Sequence, residues 1–111
     1  MSEQRVYKDE FLYLTTTGRK SGKPHEIEIW YVAHGDCYYL CAEQRDSSHW
    51  VQNIRQQPAI TIRVQGQVYT GTGRPLDSDT DADLVHEVSG LFDQKYKWSN
   101  GLLVELCPVT K

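Results

Sequence analysis

Between Gly18 and Pro24 the chain packs Arg19, Lys20 and Lys23 into five positions, with the Ser21 hydroxyl among them and glycines at 18 and 22. Cationic side chains, a hydroxyl and closely approachable backbone are the ingredients of an anion site at a hairpin tip. A solvated basic turn has the same composition, and the residues alone leave both readings open. Other groupings are weaker. Asp77, Asp79, Asp81 and Asp83 imitate the start of a calcium loop, but the sixth and twelfth positions hold Ala82 and Val88, not the required Gly and Glu. A charged helix start explains that run. Glu26 and Glu28 fall about 7 Å apart on one strand face. That spacing suits carboxylate-pair chemistry on a glycoside, yet nothing supplies the rest of a hydrolase site. His25, His34, His49 and His86 are scattered, with no H-x-x-x-H pair for zinc. No nucleophile elbow, Walker loop or dinucleotide fingerprint occurs, and Gly71-Thr72-Gly73 reads as a bend in a strand.

Composition narrows the classes further. A chain of 111 residues is one domain, 1–111. Twelve Lys and Arg against 15 Asp and Glu give a net charge of -3, which argues against nucleic-acid binding. Oligonucleotide binding on an aromatic-bearing barrel is disfavoured for the same reason. Aromatics at 11% argue against disorder of the whole, although residues 1–9 are expected to be disordered. That polar start has no apolar signal core, and no apolar stretch approaches the roughly 20 residues of a membrane span. A cytoplasmic protein with no membrane partner is expected. The three cysteines fit that expectation. Cys37 and Cys41 on one strand would stand about 13 Å apart, beyond a disulfide's reach. All three, with Cys107, are read as inert, half-buried thiols.

Turn signals cut the chain into short elements that would position these groups. Strands are read at Phe11 to Thr16, His25 to His34, Cys37 to Ala42, Ala59 to Val64, Gln67 to Arg74 and Leu102 to Val109. The second alternates Glu26, Glu28, Trp30 and Val32 against Ile27, Ile29, Tyr31 and Ala33. A helix capped by Ser47 or Ser48 runs to about Gln57 and stops at Pro58, with Trp50, Val51 and Ile54 apolar. Another runs from about Asp79 to Lys97, its stripe formed by Leu84, Val85, Val88, Leu91, Phe92 and Tyr96. The fold class is α+β, mainly β. Hairpin connections exclude an all-parallel sheet, so an antiparallel barrel of about six strands with two flanking helices is expected.

The string Thr15-Thr16-Thr17-Gly18-Arg19-Lys20-Ser21-Gly22-Lys23-Pro24 is followed by a strand, the Gly35-Asp36 hairpin and Tyr38-Tyr39-Leu40-Cys41-Ala42. Further on come Trp50-Val51-Gln52-Asn53-Ile54-x-x-x-Pro58 and the strand Ile60 to Val64. Over roughly residues 11 to 75 this resembles the deazaflavin-dependent nitroreductase/quinone reductase family, within the flavin-binding split β-barrels that include pyridoxamine 5'-phosphate oxidases. The chain departs from that pattern at Glu43-Gln44-Arg45-Asp46, where members often carry a small residue and glycines, and at Val51, where an aromatic often follows the tryptophan.

The resemblance implies a split barrel, a homodimer with the cofactor groove at its interface, and a first hairpin loop that grips an anionic cofactor tail. Gly18, Arg19, Lys20, Ser21 and Lys23 occupy that loop. It further implies a flat ring lying against Trp30, Ala42, Glu43, Trp50 and Asn53. The implied cofactor is a deazaflavin coenzyme of the F420 type, with FMN as the alternative. The implied activity is hydride transfer to a small electron-poor acceptor such as a quinone or a nitro compound. The cofactor carries that chemistry, so no side-chain nucleophile is needed. The proton would come from Tyr31, Tyr39 or solvent. An FMN reductase of the same fold, or a non-catalytic flavin-binding module, are the rival readings.

Overall fold

The computed structural model describes residues 11–109; the expectation for residues 1–9 lies outside them. Strands β1 (Phe11–Thr17), β2 (Pro24–Trp30), β3 (Val32–His34) and β4 (Cys37–Ala42) come first. A 3-10 turn at Arg45–Ser47 leads into α1 (His49–Gln56). Then follow β5 (Ala59–Val64), β6 (Gln67–Pro75), α2 (Ala82–Tyr96) and β7 (Leu102–Pro108). All pairings are antiparallel, and the sheet order is β2-β1-β5-β6-β7-β4-β3. The mainly-β reading with two helices stands. The strand expected at His25 to His34 is two strands, which makes seven among the described residues in place of about six.

The two outermost strands of this sheet, β2 and β3, are separated in the chain by Tyr31 alone. One residue spans about 3.8 Å, so the sheet must curl until its edges meet there. At Tyr31 the chain leaves β1 as its neighbour and takes β4. The broken ladder is repaired from α2. The Tyr31 N–H donates to the Tyr96 hydroxyl at 3.2 Å, and that hydroxyl donates to the Tyr31 carbonyl at 2.7 Å. Lys95 Nζ adds a bond to the same carbonyl at 2.9 Å. Sequence alternation runs straight through this corner because both faces are covered there. Tyr31 joins the barrel interior, while Val32 joins the cluster under α2.

Period-2 alternation explains the barrel core. Leu12, Leu14, Leu40, Ile60, Ile62, Val64, Val104 and Leu106 face inward and are buried. Val51 and Ile54 of α1 close the interior. Pro58 follows the helix as the sequence predicts, and Ser48 occupies the N-cap position, though its hydroxyl makes no cap hydrogen bond. Helix α2 covers the outside of β3, β4 and β7 with Val88 and Phe92. It starts later than read, at Ala82, because the aspartates build a turn ahead of it. Asp77 Oδ1 accepts from the N–H of Asp79 at 2.7 Å and of Thr80 at 3.2 Å. Asp81 Oδ2 accepts from the Asp77 N–H at 2.8 Å, and Arg74 holds the Asp81 carboxyl below the usual carboxylate range.

The expectation of three inert thiols is corrected. Cys37 and Cys107 form a disulfide, their Cα atoms 4.4 Å apart. They continue the β4–β7 register one step beyond Tyr38 and Leu106. Cys41 alone remains a buried free thiol. Among the described residues no helix is long and apolar enough to cross a membrane.

Candidate functional site

β2 and β3 are the two edges of the sheet and no ladder joins them, and the seam opens into a cleft of about 1270 Å³. One wall is β2 with the β1–β2 loop. The others are the end of β4, the start of α1 and the end of α2. Of the residues expected at the site, Gly18, Arg19, Lys20, Ser21, Trp30, Ala42, Glu43, Trp50 and Asn53 line this cleft. Lys23 does not. It shapes the loop instead: its carbonyl accepts from the Gly18 N–H at 2.8 Å and its N–H donates to Ser21 Oγ at 3.2 Å.

The loop requires its glycines for two different reasons. Gly22 has φ of 74°, a left-handed backbone that residues with a Cβ avoid. A Cβ on Gly18 would lie 2.7 Å from His25 Nε2 and 2.9 Å from Ser21 Oγ. Arg19 is latched rather than free. Asn53 Oδ1 accepts from both the Arg19 N–H at 3.2 Å and Arg19 Nη1 at 2.8 Å. His49 offers its carbonyl to Nη1 at 3.4 Å and its Nδ1 to Nη2 at 3.3 Å. Asn53 is itself buried and donates through Nδ2 to Thr16 Oγ1 at 3.1 Å. One amide therefore joins β1, α1 and the loop, which accounts for a polar residue on the inner face of α1. Among the described residues no carboxylate pairs with Arg19 or Lys20. Arg19 and Lys20 thus bring two cations to the loop end of the cleft, whose other walls carry Glu26, Glu28 and Glu43.

Away from the loop the cleft is aromatic. Trp30 stacks on Tyr96 with ring centroids 4.5 Å apart and planes 2° from parallel. Trp50, Trp98 and Phe92 add to the wall. Tyr96 and Phe92 were legible as the stripe of a helix, but nothing in the stripe marks the end that opens to the cleft. His25, His49 and Trp98 were missed outright; His25 directly follows the loop motif, which was the available signal. Cys41 also lines the cleft, and burial pushes its thiol up to about 11. It is protonated at neutral pH and offers no nucleophile. Neither tyrosine considered as proton donor lines the cleft. The Tyr39 hydroxyl donates to Glu105 at 2.8 Å under α2, and Tyr31 packs into the barrel.

The sequence model of a family described as F420H(2)-dependent quinone reductase matches residues 3–99. The chain belongs to this family. An F420H(2)-dependent quinone reductase of Mycobacterium tuberculosis is 29% identical over 68 residues, covering 59% of this chain and 46% of that protein. The chain thus spans about half the length of the curated relatives it matches. A solved F420-H2 dependent reductase superposes with a TM-score of 0.60 at 22% identity, covering 87% of this chain and 92% of the other. The heme storage protein HutZ of Vibrio cholerae superposes with a TM-score of 0.74 at 13% identity, covering 98% and 89%. At these identities the structural likeness speaks for the fold, the curled split barrel.

Proposed function

We propose that the protein is a reductase that binds a reduced deazaflavin coenzyme of the F420 type in the cleft and passes its hydride to a small electron-poor acceptor, a quinone before a nitro compound. The family's name and its curated relatives support that cofactor and that acceptor class. The observation that carries the reading is the pairing of a latched cationic loop with an aromatic slot in one cleft. Arg19, Lys20 and Ser21 would hold an anionic tail, since charge-assisted bonds from preset donors are the strong ones. Trp30 and Trp50 would bound a flat ring by stacking, with Ala42, Glu43 and Asn53 beside it. The bound coenzyme supplies the hydride. The chain's task is to bind, orient and exclude water. With the Tyr39 hydroxyl given to Glu105 and Tyr31 packed in the barrel, solvent is left of the three proton sources considered.

The same reading includes a homodimer that completes the cleft. Trp30 and Phe11 are 42% and 36% exposed, stand opposite each other on β2 and β1, and also line the cleft. A second copy on that face would cover both aromatics and close one side of the groove. Light scattering on the purified protein is expected to give twice the chain mass.

Titration with F420 and with FMN, followed by absorbance and fluorescence, tests the cofactor. Saturable micromolar binding of F420 alone is expected. Binding of FMN alone moves the reading to a flavin reductase of the same fold, and F420 binding without quinone turnover leaves a carrier module. Reversing charge at Arg19 and Lys20 together is expected to weaken F420 binding at least ~10-fold, given about 1.5–3 kcal/mol for a hydrogen bond to a charged group. Unchanged affinity removes the loop from the site.

A further inference from the structure

Directly paired residues on neighbouring strands share a face, and two rows of such residues cross β3, β4, β7 and β6 outside the cleft. One row is His34, Cys37, Cys107 and Thr72; the next is Val32, Tyr39, Glu105 and Arg74. Both Sγ atoms and a carboxylate oxygen of Glu105 lie within 4.8 Å of one another, and all three residues are partly buried. We propose that, once the disulfide is reduced, Cys37, Cys107 and Glu105 bind one zinc-class divalent cation, so that this face holds either a disulfide or a metal.

Two thiolates and a carboxylate are a donor set that zinc accepts. The carboxylate is already aimed. Tyr39 donates to Glu105 Oε2 at 2.8 Å, and Arg74 Nε donates to Oε1 at 3.1 Å. Such outer partners orient a ligand and tune its affinity, and each oxygen keeps a further lone pair for a metal. Arg74 does not repel the cation unopposed, because Asp81 takes its two terminal nitrogens at 3.0 and 3.2 Å. Arg74 and Asp81 cancel. Two thiolates and Glu105 then leave three negative charges, which a divalent cation reduces to one. The fourth position falls to water.

The exchange balances. An external dithiol gives two electrons and two protons to the Cys37–Cys107 bond, leaving two protein thiols and the donor as its own disulfide. The cation then displaces both thiol protons and forms two metal–sulfur bonds. The site is separate from the cleft: Cys37 and Ala42 are the two ends of β4, about 17 Å of strand apart.

Cobalt(II), a spectroscopic stand-in for zinc, tests this on the full chain after phosphine reduction. A thiolate-to-cobalt band in the near ultraviolet that saturates at one ion per chain, and that zinc abolishes, is expected. The oxidised protein should show no band, nor should Cys37→Ser or Cys107→Ser under reduction. Glu105→Gln removes a ligand and should weaken binding at least ~10-fold, no less than the loss of an outer partner would. No band in the reduced wild type overturns the proposal, as does a band that survives Cys37→Ser, which Cys41 would then explain. Loss of the native circular dichroism on reduction overturns it equally, since the pair would then be purely structural.

Discussion

Asn53 carries more than its size suggests. Its amide satisfies Thr16 in the interior and fixes Arg19 at the mouth of the cleft. Removing it leaves buried polar groups unpaired, at a cost of about 1–3 kcal/mol. Asn53→Ala is therefore expected to lower stability by that amount in urea unfolding and to weaken cofactor binding, although Arg19 keeps its charge. Normal affinity in a destabilised Asn53→Ala chain would show that the latch does not matter for binding. Cys41 behaves differently. Burial favours its neutral form, so its folded pKa lies above the ordinary thiol value. Its stabilising effect is complete below about pH 9 and fades as pH rises towards about 11. Stability measured between those pH values should fall less steeply in Cys41→Ala than in the wild type. At residue scale the sequence showed the loop well, because clustered charge and glycines are local signals. It could not show that Asn53 and Arg19 meet, since 34 residues separate them.

Elements bounded by turn residues were legible, and those bounded by topology were not. The strands Cys37–Ala42 and Ala59–Val64 match their sequence readings to the residue, because Gly35-Asp36, Pro58 and Gln65-Gly66 punctuate them. The break at Tyr31 has no such mark; it exists because the sheet closes there. Its repair by Tyr96 gives a direct test. Tyr96→Phe keeps the ring stacked on Trp30 but removes the hydroxyl that serves both Tyr31 backbone groups. We expect a loss of about 1–3 kcal/mol and faster amide exchange at Tyr31, read by hydrogen exchange. Unchanged exchange there would mean the seam is held by other contacts. The Cys37–Cys107 pairing was hidden for the same reason as the seam. Spacing within β4 excluded the Cys37–Cys41 bridge correctly, but only the β4–β7 register brings Cys37 to Cys107.

At the scale of the molecule, a net charge of -3 described the bulk and missed its distribution. Acidic groups gather ahead of α2, where Arg74 and the turn absorb them, while the cations at 19 and 20 meet no carboxylate among the described residues. The barrel's interior is filled by its own side chains, so the volume for a ligand lies at the seam, where the curled sheet fails to close. The same curl that hides the hydrophobic core thus creates the cleft and lines it with a cationic end and an aromatic body. The most direct test of this account is the titration of the purified chain with F420, watched by quenching of coenzyme fluorescence. One saturable micromolar site per chain is expected, weakened at least ~10-fold by charge reversal at Arg19 and Lys20. Absence of binding at micromolar coenzyme, or affinity indifferent to those two charges, would contradict it.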